Sequence, residues 1–189
     1  VYSEKTMKSI IMLNATEVNM NNEMDAIGKI QEGFSMLTEC MPGCNPMAPG
    51  FLKEVIMANL LGHKVALTKH LCDAYDEDGK EQEYLTCMED GVNKEGKKLP
   101  RAFAIDGVFS SPYEDKEGSL ERIRRNKKIY YGIFKEGVLE CVEMWIGCPK
   151  DLEKFVDENV TRRGINGKNR EHTVNISKKW VRENCKRII

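Results

Sequence analysis

The chain of 189 residues is poor in proline, with six, and in aromatic residues, at 7%, and it carries no repeat or low-complexity stretch. Those scarcities exclude a collagen-like or wholly disordered chain. No apolar run reaches the roughly 18–20 residues that a membrane-spanning helix needs. The first residues place Glu4, Lys5 and Lys8 around a short apolar stretch with no small-residue cleavage site, so they do not read as a signal peptide. The three histidines, His63, His70 and His172, stand apart and form no recognisable triad or ligand spacing. Seven cysteines make an odd count, which disfavours a disulfide framework and favours a reducing, intracellular compartment. Cys40 and Cys44 flank a Pro-Gly turn, but no second Cys/His pair follows at zinc-site distance, and ordinary thiols beside a turn account for them.

The chain also lacks a charge imbalance, with a net of −1, although its charges are segregated. From Asp73 to Asp90 eight acids stand against Lys80 alone, and from Thr161 to Ile189 nine bases stand against Glu171 and Glu183. Hydrophobic residues at 41% are enough for a real core, and the length suits one domain over residues 1–189.

Apolar positions Met24, Ile27, Ile30, Phe34 and Leu37 predict an amphipathic helix over about 22–40, suited to a core or a subunit contact. A breaker cluster follows, then a second helix over Phe51–Leu61 and a short strand at Val65–Leu67. Glu81–Glu89 alternates as a strand, Gly91–Pro100 reads as a polar loop, and Arg101–Phe109 reads either as a strand or as the approach to a helix. Ser119–Lys128 is a short basic helix candidate. The runs Ile129–Phe134 and Val138–Trp145 predict a hairpin across the turn Lys135–Gly137. Pro149–Val160 opens as a helix, and the tail holds a strand at Val174–Ile176 and a helical piece at Trp180–Asn184. This order predicts an α/β or α+β domain.

The acidic segment carries the candidate chemistry. Hard divalent cations take two or three carboxylates from neighbouring rigid positions, with water completing the shell. Period-two geometry puts Glu81, Glu83 and Leu85 on one face of their strand and Gln82, Tyr84 and Thr86 on the other. With Asp73, the two glutamates suit magnesium beside a phosphate. On composition alone an Asp/Glu/Gly loop is more often a solvated turn, and the later ligands of a calcium loop are missing.

Asp73-Ala-Tyr-Asp76, Gly79 and Gln82-Glu83-Tyr84 resemble in succession the catalytic segment of the PvuII-type restriction endonucleases, of the PD-(D/E)XK nuclease superfamily. Further along, Ile129–Val142 with Lys135, Gly137 and Glu140, then Pro149-Lys-Asp-Leu-Glu153, then Gly167-Lys168 through Lys179 and Val181 to Lys186 and Ile188, are similar in the same order. The resemblance implies a central mixed sheet flanked by helices and a homodimer joined through the N-terminal helical segment. It also implies Mg²⁺-dependent, sequence-specific hydrolysis of double-stranded DNA in a prokaryotic cytoplasm. It makes Asp73 the metal-binding aspartate.

The family's Glu-x-Lys pair is altered in this chain. In the register of Asp73 and Gly79, Glu83 takes the acidic position and Leu85 that of the lysine; direct alignment of Gln82-Glu83-Tyr84 puts Leu85 and Cys87 there instead. A Glu-x-Glu variant, Glu81-Gln82-Glu83, fits with one shift of the strand, and Lys80 is a second stand-in for the lysine. The family's histidine-rich base-reading segment is replaced by Ser110, Ser111 and Tyr113. Arg124, Arg125 and Lys168 are the expected phosphate contacts. Loss of the lysine keeps a second expectation open, a non-catalytic DNA-binding protein on a degenerate nuclease scaffold.

Overall fold

The computed structural model describes residues 4–48, 50–67, 72–105, 120–121, 123–163 and 174–189. Two units divide the chain, Val1–Pro46 and Met47–Ile189.

The first unit is built on helix α1, Glu4–Cys40. Apolar spacing predicted only its second half. Residues 1–27 contain neither proline nor glycine, so nothing in the sequence interrupts the helix before Gly28. Pro42 and Gly43, the latter at φ 89°, end it, and the Met41 N–H still bonds the Leu37 carbonyl at 2.8 Å. Met24, Ile27, Ile30 and Met36 are exposed, Met24 at 66%.

The second unit is α+β, with a mixed six-stranded sheet. Its strands are β1 (Lys64–Val65), β2 (Ala74–Tyr75), β3 (Glu81–Met88), β7 (Lys128–Phe134), β8 (Cys141–Gly147) and β10 (Lys186–Arg187), in the spatial order β1-β2-β3-β7-β8-β10. β3 and β7 run parallel, and every other pairing in the sheet is antiparallel. Two small ladders accompany it: β4 (Gly91–Val92) with β5 (Lys98–Leu99), and β6 (Phe103–Ile105) with β9 (Val174–Ile176). The helices are α2 (Phe51–Leu61), α3 (Pro149–Arg163) and α4 (Lys178–Asn184). Among the described residues no helix is long and apolar enough to cross a membrane. All seven cysteines are free thiols.

β7 is buried on both faces from Ile129 onward, which explains its nearly continuous apolar run. On one face Leu85, Cys87, Ile129, Tyr131 and Ile133 pack with Phe103, Ile105, Leu152, Val156 and Val181. On the other, Tyr84, Tyr130 and Phe134 pack with Met57, Ala58, Ala74 and Met144. Gly132 permits the close approach of α2. A Cβ there would lie 2.6 Å from Met57 Sδ and 3.1 Å from Phe134 Cε2, and Met57 is fully buried and cannot swing into solvent. Gly132→Ala is therefore expected to cost about 1–3 kcal/mol, read as a lower urea midpoint; an unchanged midpoint would show that the thioether yields without cost.

Several local expectations need correction. Gly91–Pro100 is a hairpin, because Asn93 Oδ1 accepts the N–H groups of Glu95 and Lys97 and folds the turn. The expected strand from Val138 starts at Cys141; the Lys135 N–H bonds the Glu140 carbonyl at 2.9 Å, so the connection is longer than three residues. The first short strand is Lys64–Val65, and β2 and β10 are additional to the expected strands, since two-residue pairings carry no readable period. The basic helix ends before Asn126, and Lys128 belongs to β7. In Arg101–Phe109, Phe103–Ile105 is strand and residues 106–109 lie outside the described residues. The last helix starts at Lys178, where Ser177 caps it by accepting the Trp180 N–H at 3.1 Å.

Candidate functional site

Asp73 stands just before β2, at the end of the β2–β3 ladder in which Ala74 faces Gln82 and Tyr75 faces Glu81. Its carbonyl accepts the Ala66 N–H at 2.8 Å and its N–H bonds the Gln82 carbonyl at 3.2 Å. Its carboxylate then takes the place of a ladder carbonyl: Oδ2 accepts the Tyr84 N–H at 2.8 Å. That amide is the peptide joining Glu83 to Tyr84, so Asp73 is fastened beside Glu83. Glu81 lies two residues earlier, on the same face of β3. This face changes character along the strand. Glu81 and Glu83 at its start are half-buried, whereas Leu85 and Cys87 are sealed into the core.

Glu81 is engaged already. Its Oε2 meets Arg125 Nε at 2.9 Å, with the two side chains 27% and 33% exposed. The Lys127 N–H also bonds the Glu81 carbonyl at 2.8 Å, so both backbone and side chain tie the 125–127 segment to this strand. Arg124 turns instead to α3, where its Nη2 pairs with Glu153 at 2.7 Å. Lys127 goes to the acidic turn, with Nζ 3.0 Å from Asp76 and 3.4 Å from Asp78. Asp76 is the closing residue of that turn: Oδ1 accepts the N–H groups of Asp78 and Lys80, and Oδ2 accepts Gln82 Nε2 at 2.9 Å. These bonds, the Lys80 N–H foremost and Lys127 after it, hold its carboxyl below the ordinary range.

The positions at which the resemblance puts a lysine are both closed. Leu85 is 7% exposed within the core. Cys87 is buried too, and burial pushes its thiol up to about 12. Lys80 is exposed on the turn, with its N–H engaged by Asp76. Ser110, Ser111, Tyr113 and Lys168 lie outside the described residues. Among the described residues of the basic tail, three bases form ion pairs within the protein. Lys178 is buried against Asp90 at 2.5 Å, Arg182 pairs with Glu143 at 2.8 Å and Lys179 with Glu183 at 3.8 Å. Among the described residues no three Asp, Glu, His or Cys side chains form a ready metal shell.

Two features of the site had no signal in the sequence. One is the pairing of Arg125 with Glu81. The other is an aromatic cluster on the opposite face of β3, where His63 Nδ1 and the Tyr84 hydroxyl lie 2.7 Å apart and Tyr130 stands edge-on to both rings. Gly62, at φ 68°, closes α2 and delivers His63 there. Tyr84 thus touches Asp73 through its amide and His63 through its hydroxyl. Burial lowers the His63 pKa from its ordinary 6.5, with Asp76 opposing and Lys127 reinforcing the shift. The folded protein resists a proton that the unfolded chain takes up near 6.5. The stability His63 contributes is therefore complete above that pH and is lost as pH falls below it. Melting temperatures between pH 7.5 and 5.5 are expected to fall less steeply in His63→Gln than in the wild type, and parallel curves would refute the assignment.

A cleft of about 340 Å³ lies at the far end of β3, lined by Asp90, Gly91, Ile133, Glu143, Lys178 and Arg182 among others, its charges largely closed into the two ion pairs described above. Compared with known proteins, the chain matches no family model and no curated protein.

Proposed function

We propose that the protein is a Mg²⁺-dependent, sequence-specific endonuclease of double-stranded DNA, similar to the PvuII-type restriction enzymes. The observation that carries this reading is the fastening of the Asp73 carboxylate to the Glu83–Tyr84 amide, with Glu81 on the same half-open face. Chain positions that match the family's acids are brought side by side by the β2–β3 ladder. The mixed sheet with flanking helices is compatible with the architecture the resemblance implies.

The residues fit magnesium. It usually takes one or two protein carboxylates and fills its shell with water and substrate phosphate, so a closed three-ligand cage is not required. Asp73 and Glu83 would hold the ion, which when bound polarises a phosphoryl oxygen and acidifies water. The chain's own part is to hold both carboxylates rigidly against β3 and to restrain Glu81 with Arg125. The exposed apolar positions of α1, Met24, Ile27, Ile30 and Met36, support a homodimer made through that helix. Restriction chemistry places the enzyme in a prokaryotic cytoplasm.

A specific observation favours a second reading, a DNA-binding protein that has lost catalysis: Leu85 fills the lysine position and Arg125 occupies Glu81. Incubation of plasmid DNA with the protein in Mg²⁺, beside duplex retardation in Ca²⁺, separates the two. Discrete fragments support the endonuclease; retardation without cleavage supports the binding protein; the absence of both cleavage and retardation rejects both readings.

A further inference from the structure

Hydrolysis of a phosphodiester places growing negative charge on the oxygens around phosphorus, and a fixed cation at that point lowers the barrier. With Leu85 sealed in the core, β3 provides no such cation on the face of Asp73 and Glu83. Residues 123–127, which lead into β7, carry three described cations, and each pairs with different acids. Arg124 is drawn to Glu153 on α3, and Lys127 to the Asp76 turn. Arg125 meets a carboxylate on the candidate face, Glu81 at 2.9 Å.

Its placement is fixed from two directions. The Arg125 N–H bonds the Glu121 carbonyl at 3.0 Å, ending the helical stretch, and two residues later the Lys127 N–H bonds the Glu81 carbonyl at 2.8 Å. The side chain is one-third exposed, within reach of a polyanion at the surface. A guanidinium carries five N–H donors in one plane, enough to hold Glu81 and engage a phosphate together.

Resting on the endonuclease reading, we propose that Arg125 contacts the scissile phosphate and supplies the positive charge that the lysine of a Glu-x-Lys pair would supply, with Glu81 as its anchor. The test uses the full-length protein, single-turnover plasmid cleavage in Mg²⁺ and duplex affinity in Ca²⁺. Arg125→Ala is expected to slow cleavage about 100- to 1,000-fold with little loss of duplex affinity. Added methylguanidinium should restore part of the rate, which a purely structural role would not allow. If Arg125→Ala does not fold, Arg125→Gln, which keeps a hydrogen-bond donor for Glu81 and removes the charge, becomes the deciding variant. Slowing of about tenfold at unchanged affinity then supports the proposal, and the wild-type rate overturns it. Wild-type cleavage with an unaffected or unrescued Arg125→Ala overturns the role of Arg125 and leaves the endonuclease standing. A wild type that cuts nothing overturns both.

Discussion

Asp73→Asn is expected to leave the fold intact and to lower Mg²⁺-dependent DNA cleavage about 1,000-fold. On the endonuclease reading proposed above Asp73 has two tasks, and the two effects therefore separate. Its Oδ2 accepts the Tyr84 N–H at 2.8 Å, a bond an asparagine oxygen can also accept, so the β2–β3 junction survives. What the substitution removes is the negative charge that a hard cation requires. Metal assistance to phosphoryl chemistry is worth several kcal/mol, and each 1.36 kcal/mol is tenfold in rate. Asp73→Ala is the poorer probe, because it also strips the acceptor from the amide of buried Tyr84, at a cost of about 1–3 kcal/mol. Single-turnover cleavage with a urea melt of the same sample decides the matter. An Asp73→Asn variant that melts like the wild type and cuts at the same rate would remove Asp73 from the chemistry.

The largest stability effect is expected at Tyr131, in the middle of β7. Its ring is fully buried and stands edge-on to Phe103 at 5.3 Å and to Trp180 at 6.4 Å, joining the β6 ladder and α4 to the main sheet. Removal of the ring in Tyr131→Ala should cost about 3–5 kcal/mol, a large share of the roughly 5–15 kcal/mol that holds a domain folded. The hydroxyl has no hydrogen-bond partner among the described residues, and burial raises its pKa, so the phenol stays neutral. Tyr131→Phe should consequently stay within about 1 kcal/mol of the wild type. Urea unfolding of both variants reads this directly. Equal losses in the two would show that the oxygen matters as much as the ring.

The elements that were legible in the sequence are those whose periodicity is long enough to see. Ile129–Phe134 is apolar throughout because both of its faces are covered, and Glu81–Met88 alternates at its start because that end of one face is open. Pro149 and its acidic first turn announced α3. β2 and β10, at two residues each, have no pattern to read, although β2 is the strand that presents Asp73. The hairpin at Gly91–Leu99 has no hydrophobic pattern to read, because its turn is made by one side chain, Asn93.

The segregated charges show the same division. The near-neutral total was already divisible, in sequence, into an acidic middle and a basic tail, and the period of a strand put Glu81 and Glu83 on one face. Those are matters of covalent geometry and composition, which a linear chain carries in full. Which acid meets which base was decided only by the tertiary structure. Asp76 closes its own turn with Lys127, Lys178 is buried on Asp90, Arg182 is held by Glu143, and Arg125 reaches Glu81 from a distant stretch of chain. The physical reason is range: an ion pair or hydrogen bond acts over about 3–4 Å, and no spacing along the sequence encodes a distance across the sheet.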